Sequence, residues 1–125
     1  MGIFSVQIEV GDPQSLTFEP VDALVDTGST NTAIPGSMLR RLGVTPQHRD
    51  QFELADNSVV DLDVGRTWVK IDGRQEFTQV VFAEEGTEPL LGMITLEEMG
   101  LGIDPIRQEL VPVRKKRKLS LTPNS

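Results

Sequence analysis

The chain has 125 residues, 38% apolar and 25% charged, which suits one soluble domain burying roughly two-thirds of its unfolded surface. With no cysteine and a single histidine, His48, it has no disulfide framework, no thiolate nucleophile and few of the ligands a zinc site uses. Residues 1–113 hold seven bases against all 19 acids, a net −12, while Arg114, Lys115, Lys116, Arg117 and Lys118 make a +5 tail; so acidic a body argues against nucleic-acid binding.

The N-terminus, MGIFSVQIEVGDP, lacks the basic start and long apolar run of a signal peptide. Val6 stands where a myristoylation motif needs Ser or Thr. No later stretch approaches the roughly 18 apolar residues of a membrane span, so the expectation is a cytoplasmic protein with no membrane partner. Residues 3–10 are rich in β-branched side chains and read as a strand, turned by Gly11-Asp12-Pro13. Residues 16–21 look like its hairpin partner. Ala23-Leu24-Val25 is a short, wholly apolar run that suits a separate buried strand, and it stops abruptly at Asp26-Thr27-Gly28-Ser29.

Ile34-Pro35 leads into a helical turn, Met38-Leu39-Arg40-Arg41-Leu42, with Ser37 as its expected cap and Gly43 as its end. From Phe52 to Phe82 apolar and polar residues alternate. Asp56-Asn57-Ser58 suits one hairpin turn, and Asp72-Gly73 is a type I′ signal for a second. Pro89-Leu90-Leu91-Gly92 precedes a short helix over residues 95–100, with Thr95 as cap and Gly100 as terminator. Residues 101–104 and 109–113 read as closing strands around a turn at Pro105. Residues 114–125 lack periodicity and are expected to be a basic, disordered tail.

The informative stretch is Asp26-Thr27-Gly28-Ser29. A carboxylate at the end of an apolar strand is costly unless something there uses it, Gly28 permits a tight bend, and the Thr27 hydroxyl can brace it. Alone, Asp-Thr-Gly also fits an exposed turn. It is followed in order, however, by Thr32-Ala33-Ile34, by a hairpin-rich middle and by Leu90-Leu91-Gly92. With these anchors the chain resembles the retropepsin-like aspartic proteases, over residues 3–113. The run from Leu90 to Leu101 resembles the bacterial single-domain members most closely.

The resemblance implies an all-β acid-protease barrel with a flap hairpin and one short C-terminal helix, acting as a homodimer. It implies an aspartic endopeptidase with Asp26 as catalytic residue and Thr27, Gly28 and Ser29 as loop support. Gly28, Thr30 and Asn31 would bind substrate, and the flap would run from Leu54 to Val60 with Ala55, Asp56 and Asn57 at its tip. Neither metal nor organic cofactor is implied; the partners are a peptide substrate and a second copy. The sequence holds one such triplet, so two chains must meet for a pair of carboxylates to share a proton. Retroviral members often place an arginine after the Leu-Leu-Gly glycine, paired with an acid; here those positions are Met93 and Thr30. An idle retropepsin fold that only dimerises or binds peptide is the alternative, and an unrelated β-barrel binding protein is a third reading. Trp68 reads as a packing residue, His48 as solvated, and Glu84-Glu85-Gly86 and Glu97-Glu98 as exposed acidic turns.

Overall fold

A computed structural model describes residues 2–113 and 120–122. The expectation of a disordered tail falls on residues 114–119 and 123–125, which lie outside the described residues. The element order is β1 (Gly2–Gly11), β2 (Phe18–Asp26), β3 (Thr32–Pro35), α1 (Gly36–Arg41), β4 (His48–Glu53), β5 (Val59–Ile71), β6 (Arg74–Ala83), β7 (Leu90–Leu91), α2 (Met93–Met99), β8 (Leu101–Asp104) and β9 (Glu109–Pro112). This is the mostly β architecture that the alternating pattern implies.

Seven strands form one sheet in the order β1-β2-β7-β3-β6-β5-β4, and β1 also pairs with β5 through Glu9↔Lys70 and Val10↔Val69. That second pairing rolls the sheet into a barrel and covers the outer edge of β1 at Glu9 and Val10. The alternation of β1 and β2 puts Ile8, Val10, Ala23 and Val25 inside, against Ile34, Val69, Val80, Leu91 and Leu96. Each large aliphatic buried this way contributes about 1.5–3 kcal/mol. β8 and β9 pair only with each other, and Ile103 and Leu110 pack the hairpin onto the barrel.

The two tight hairpins lie where the turn residues put them. At β5–β6, Asp72 and Gly73 both have positive φ (49° and 79°), the type I′ geometry whose twist suits a hairpin. Three local expectations are corrected. Residues 16–21 and 23–25 are not two strands: β2 runs unbroken from Phe18 to Asp26 because β1 pairs with it from Gly11↔Phe18 onward. Ser37 does not cap α1; the cap position is Pro35, without a side-chain cap, and the Ser37 N–H takes the Glu85 carboxylate at 3.2 Å instead. Thr95 does not cap α2, which starts two residues earlier after Gly92 and ends, as expected, at a left-handed Gly100.

Candidate active site

The apolar run that closes β2, Ala23-Leu24-Val25, is what delivers Asp26 to its place. Ala23 and Val25 are fully buried, and the strand leaves the core at the next residue. The chain then bends tightly, the Ser29 N–H donating to the Asp26 carbonyl at 3.0 Å. The bend turns two donors on the carboxylate: the Gly28 N–H reaches Oδ1 at 2.8 Å, and the Ser29 hydroxyl reaches Oδ2 at 3.4 Å. The Gly28 N–H holds the Asp26 carboxyl below its usual range; partial burial pulls the other way and loses. Asp26 is thus an ionised, oriented carboxylate at the end of a rigid strand. Thr27 and Gly28 are exposed beside it.

Behind the loop sits the Leu-Leu-Gly segment. β7 lies between β2 and β3, with Leu24↔Leu90 and Val25↔Leu91 parallel and Ala33↔Leu90 antiparallel. The Leu24 N–H donates to Pro89 O at 2.8 Å. Gly92 then passes so close that a Cβ there would lie 2.3 Å from the Asn31 carbonyl carbon and 2.7 Å from Thr30 O. This close approach lets the first N–H groups of α2 find acceptors in the Asp26 loop: Met93 N–H to Ser29 O at 3.0 Å and Ile94 N–H to Thr30 O at 3.1 Å. A helix start needs such partners. Met93 and Thr30, which hold neither an arginine nor an acid, thus join helix and loop through backbone atoms.

A second layer is wholly hydroxyl. Thr32 accepts the Gly92 N–H at 3.0 Å and lies 2.7 Å from the Thr95 hydroxyl, which lies 3.1 Å from that of Thr78. Thr78 donates to Glu98 Oε1 at 2.6 Å. All three threonines are buried, and linking them satisfies every one of these polar atoms. Glu97 and Glu98 are therefore not an exposed acidic turn: both belong to α2, and Glu98 is half-buried as the end of this chain of hydrogen bonds.

Gly28, Ser29, Thr30 and Asn31 line an open groove of about 700 Å³. Its other wall is the β4–β5 hairpin, which contributes Phe52, Leu54, Val60 and Leu62, and its floor includes Val81 and Leu90. Ala55, Asp56 and Asn57 form the tip of that hairpin, outside the groove lining. The tip is closed by Leu54 N–H to Ser58 O at 2.8 Å, by Asn57 at φ 69° and by Asp56, which accepts from the Ser58 N–H and hydroxyl. Of the wall residues, Leu54 and Val60 bound the flap expected from the sequence, whereas Phe52 and Leu62 were not singled out. Their signal was there, since apolar side chains alternating on strands that stay partly exposed have to face something.

Trp68 packs its ring 5.3 Å from Phe77 and donates its indole N–H to Pro13 O at 3.1 Å, as a packing residue should. His48 is half-exposed, 3.3 Å from Asp50. Among the described residues no His, Asp and Glu cluster is placed to hold a metal, and no helix is long and apolar enough to cross a membrane.

Comparison with known proteins agrees with this geometry. No curated protein matches the chain in sequence. Among solved structures, its fold is similar to the solution structure of simian foamy virus (mac) protease, with a TM-score of 0.54, 18% identity, and coverage of 75% of this chain and 92% of that one. It is also similar to the EIAV protease complexed with the inhibitor HBY-793, with a TM-score of 0.53, 17% identity, and coverage of 78% and 88%. A family profile described as "gag-polyprotein putative aspartyl protease" matches residues 16–98. That match spans more than half of the sequence, and the chain belongs to this aspartyl protease family.

Proposed function

We propose that the chain is one half of a homodimeric aspartic endopeptidase in which Asp26 of each copy supplies a catalytic carboxylate. The observation that carries the reading is the carboxylate of Asp26, held ionised by the Gly28 N–H, on the loop whose next residues, Gly28 to Asn31, line a peptide-sized groove. One chain contributes one such acid, so the site is completed by a second copy about a two-fold axis, the commonest oligomer symmetry. Two facing carboxylates cannot both stay ionised, and the pair keeps one proton. The charged member draws a proton from a water held between them, and that water attacks the scissile carbonyl. The protonated member donates to the carbonyl oxygen, and collapse of the tetrahedral intermediate passes a proton to the leaving nitrogen.

The supporting roles follow from position. Thr27, exposed at the bend, braces one loop against its mate across the dimer. Gly28, Thr30 and Asn31 offer backbone groups to an extended peptide, as strand-like recognition requires. Ala55, Asp56 and Asn57 close over that peptide as the flap. The Leu90–Leu101 run supports kinship with the bacterial single-domain members of the family.

Purified protein incubated with a broad peptide library, alongside Asp26→Asn, tests the reading. Cleavage by the wild type and a loss of at least roughly 10²–10⁴-fold in the variant are expected, with circular dichroism unchanged. Undiminished cleavage by Asp26→Asn would overturn it. Peptide binding without cleavage by the wild type at any pH would instead mark an idle binding module.

A further inference from the structure

The groove beside Asp26 has a charge as well as a shape. Three carboxylates line it, Asp50, Glu53 and Glu84, and no Lys, Arg or His does. Glu53 and Glu84 are exposed and make no ion pair among the described residues, and Asp50 meets only His48. The guanidinium groups nearest in sequence are turned elsewhere: Arg49 donates to Asp61 O and lies 3.6 Å from Asp63, which Arg40 also reaches at 3.0 Å. The same lining carries an apolar set, Phe52, Leu54, Val60, Leu62 and Leu90, beside uncharged polar residues. A peptide desolvated there gains by apolar burial at its centre and by opposite charge at its flanks.

We infer that the groove selects extended peptides in which Lys or Arg residues flank an apolar stretch. This inference rests on the peptidase reading and deepens it by naming the substrate class. A two-fold axis repeats Asp50, Glu53 and Glu84 on the far side of the scissile bond, so the preference for basic residues extends to both flanks. The chain carries one segment with half of this pattern, a basic run on one flank: Arg114-Lys115-Lys116-Arg117-Lys118 followed by Leu119-Ser120-Leu121, beyond an otherwise strongly acidic body.

Three synthetic peptides test it: PVRKKRKLSLTP, an analogue with every Lys and Arg replaced by Glu, and one with all five replaced by Ser. Binding to Asp26→Asn protein is measured by fluorescence anisotropy, and cleavage by wild type is followed in parallel. The basic peptide is expected to bind roughly tenfold or more tightly than the Glu analogue, as several exposed charge pairs acting together allow. High salt should shrink that ratio, and Glu53→Gln/Glu84→Gln should bring it to within about threefold. Equal or tighter binding of the Glu analogue would overturn the inference, as would a preference that survives both substitutions intact. If Asp26→Asn protein shows the charge preference while wild type cuts nothing, the inference stands and the peptidase reading fails.

Discussion

The hydroxyl oxygens of Thr32 and Thr95 lie 2.7 Å apart in the fully buried space between the strand that follows the Asp26 loop and α2. Because Thr32 also accepts the Gly92 N–H, this one oxygen joins the loop, the Leu-Leu-Gly segment and α2. Thr32→Val keeps the shape and strips the acceptor, leaving a buried N–H and a hydroxyl to rearrange. We expect a loss of about 1–3 kcal/mol in urea denaturation. Adding Thr95→Val should cost less than the sum of the two single changes, since both act through one network. Strict additivity would mean that the two hydroxyls do not communicate.

Gly92 is the narrowest point of the fold. Ala at that position would thrust a methyl group to 2.3 Å from Asn31, and the contact is with backbone, which cannot swing aside. Gly92→Ala should therefore destabilise by several times the ~1 kcal/mol of an ordinary substitution. Any folded fraction should show catalytic-loop amides shifted in its NMR spectrum. A variant as stable and as active as wild type would show that the loop and β7 can separate at little cost.

The pH dependence of assembly follows from Asp26. In the single chain its carboxyl is held below the usual value of about 3.9. Its contribution to folding is thus complete above that value and is lost as pH falls through the lower folded value. Opposing a second Asp26 raises one pKa of the pair. Between that raised value and the lone-chain value, two monomers hold no proton at these sites and the dimer holds one. Dimerisation should accordingly tighten as pH falls through this window, by up to about tenfold per pH unit, and level off above it. Sedimentation equilibrium across acidic pH reads the slope, and Asp26→Asn should flatten it. The same slope in the variant would assign the proton to another group.

The tail is expected to be dispensable for the barrel. Residues 114–125 hold only Leu119 and Leu121 as large apolar side chains, and Val113, the last residue before the basic run, is already secured by its N–H to Gly100 O at 2.8 Å. Deleting residues 114–125 should shift the thermal midpoint by no more than a degree or two and leave the dimer constant unchanged. A monomeric truncation product would make the tail part of the interface.

Much of the barrel was legible because its signals are local. An apolar strand ending on Asp-Thr-Gly, two hairpin turns and a Leu-Leu-Gly segment each declare themselves within a few residues. The helix caps were misread because Ser37 and Thr95 have the right chemistry for a cap and were taken by tertiary partners instead, Glu85 in one case and a buried hydroxyl layer in the other. Glu98 was placed in water for the same reason: its partner Thr78 is 20 residues away and on another strand. The groove wall at Phe52 and Leu62 needed the register of β4 on β5, with Asp50↔Leu62 and Phe52↔Val60. A sequence alone does not state that register.

The position of β7 has a consequence for the order in which the protein is made. Leu90 and Leu91 insert between β2 and β3, strands finished some sixty residues earlier. Until that late segment arrives, β2 and β3 have no shared neighbour, and the Asp26 loop has neither its backing nor the α2 amides that fasten it. Long-range pairings of this kind form slowly. A nascent chain emerging from the ribosome therefore carries its acid long before it carries the frame that aims it.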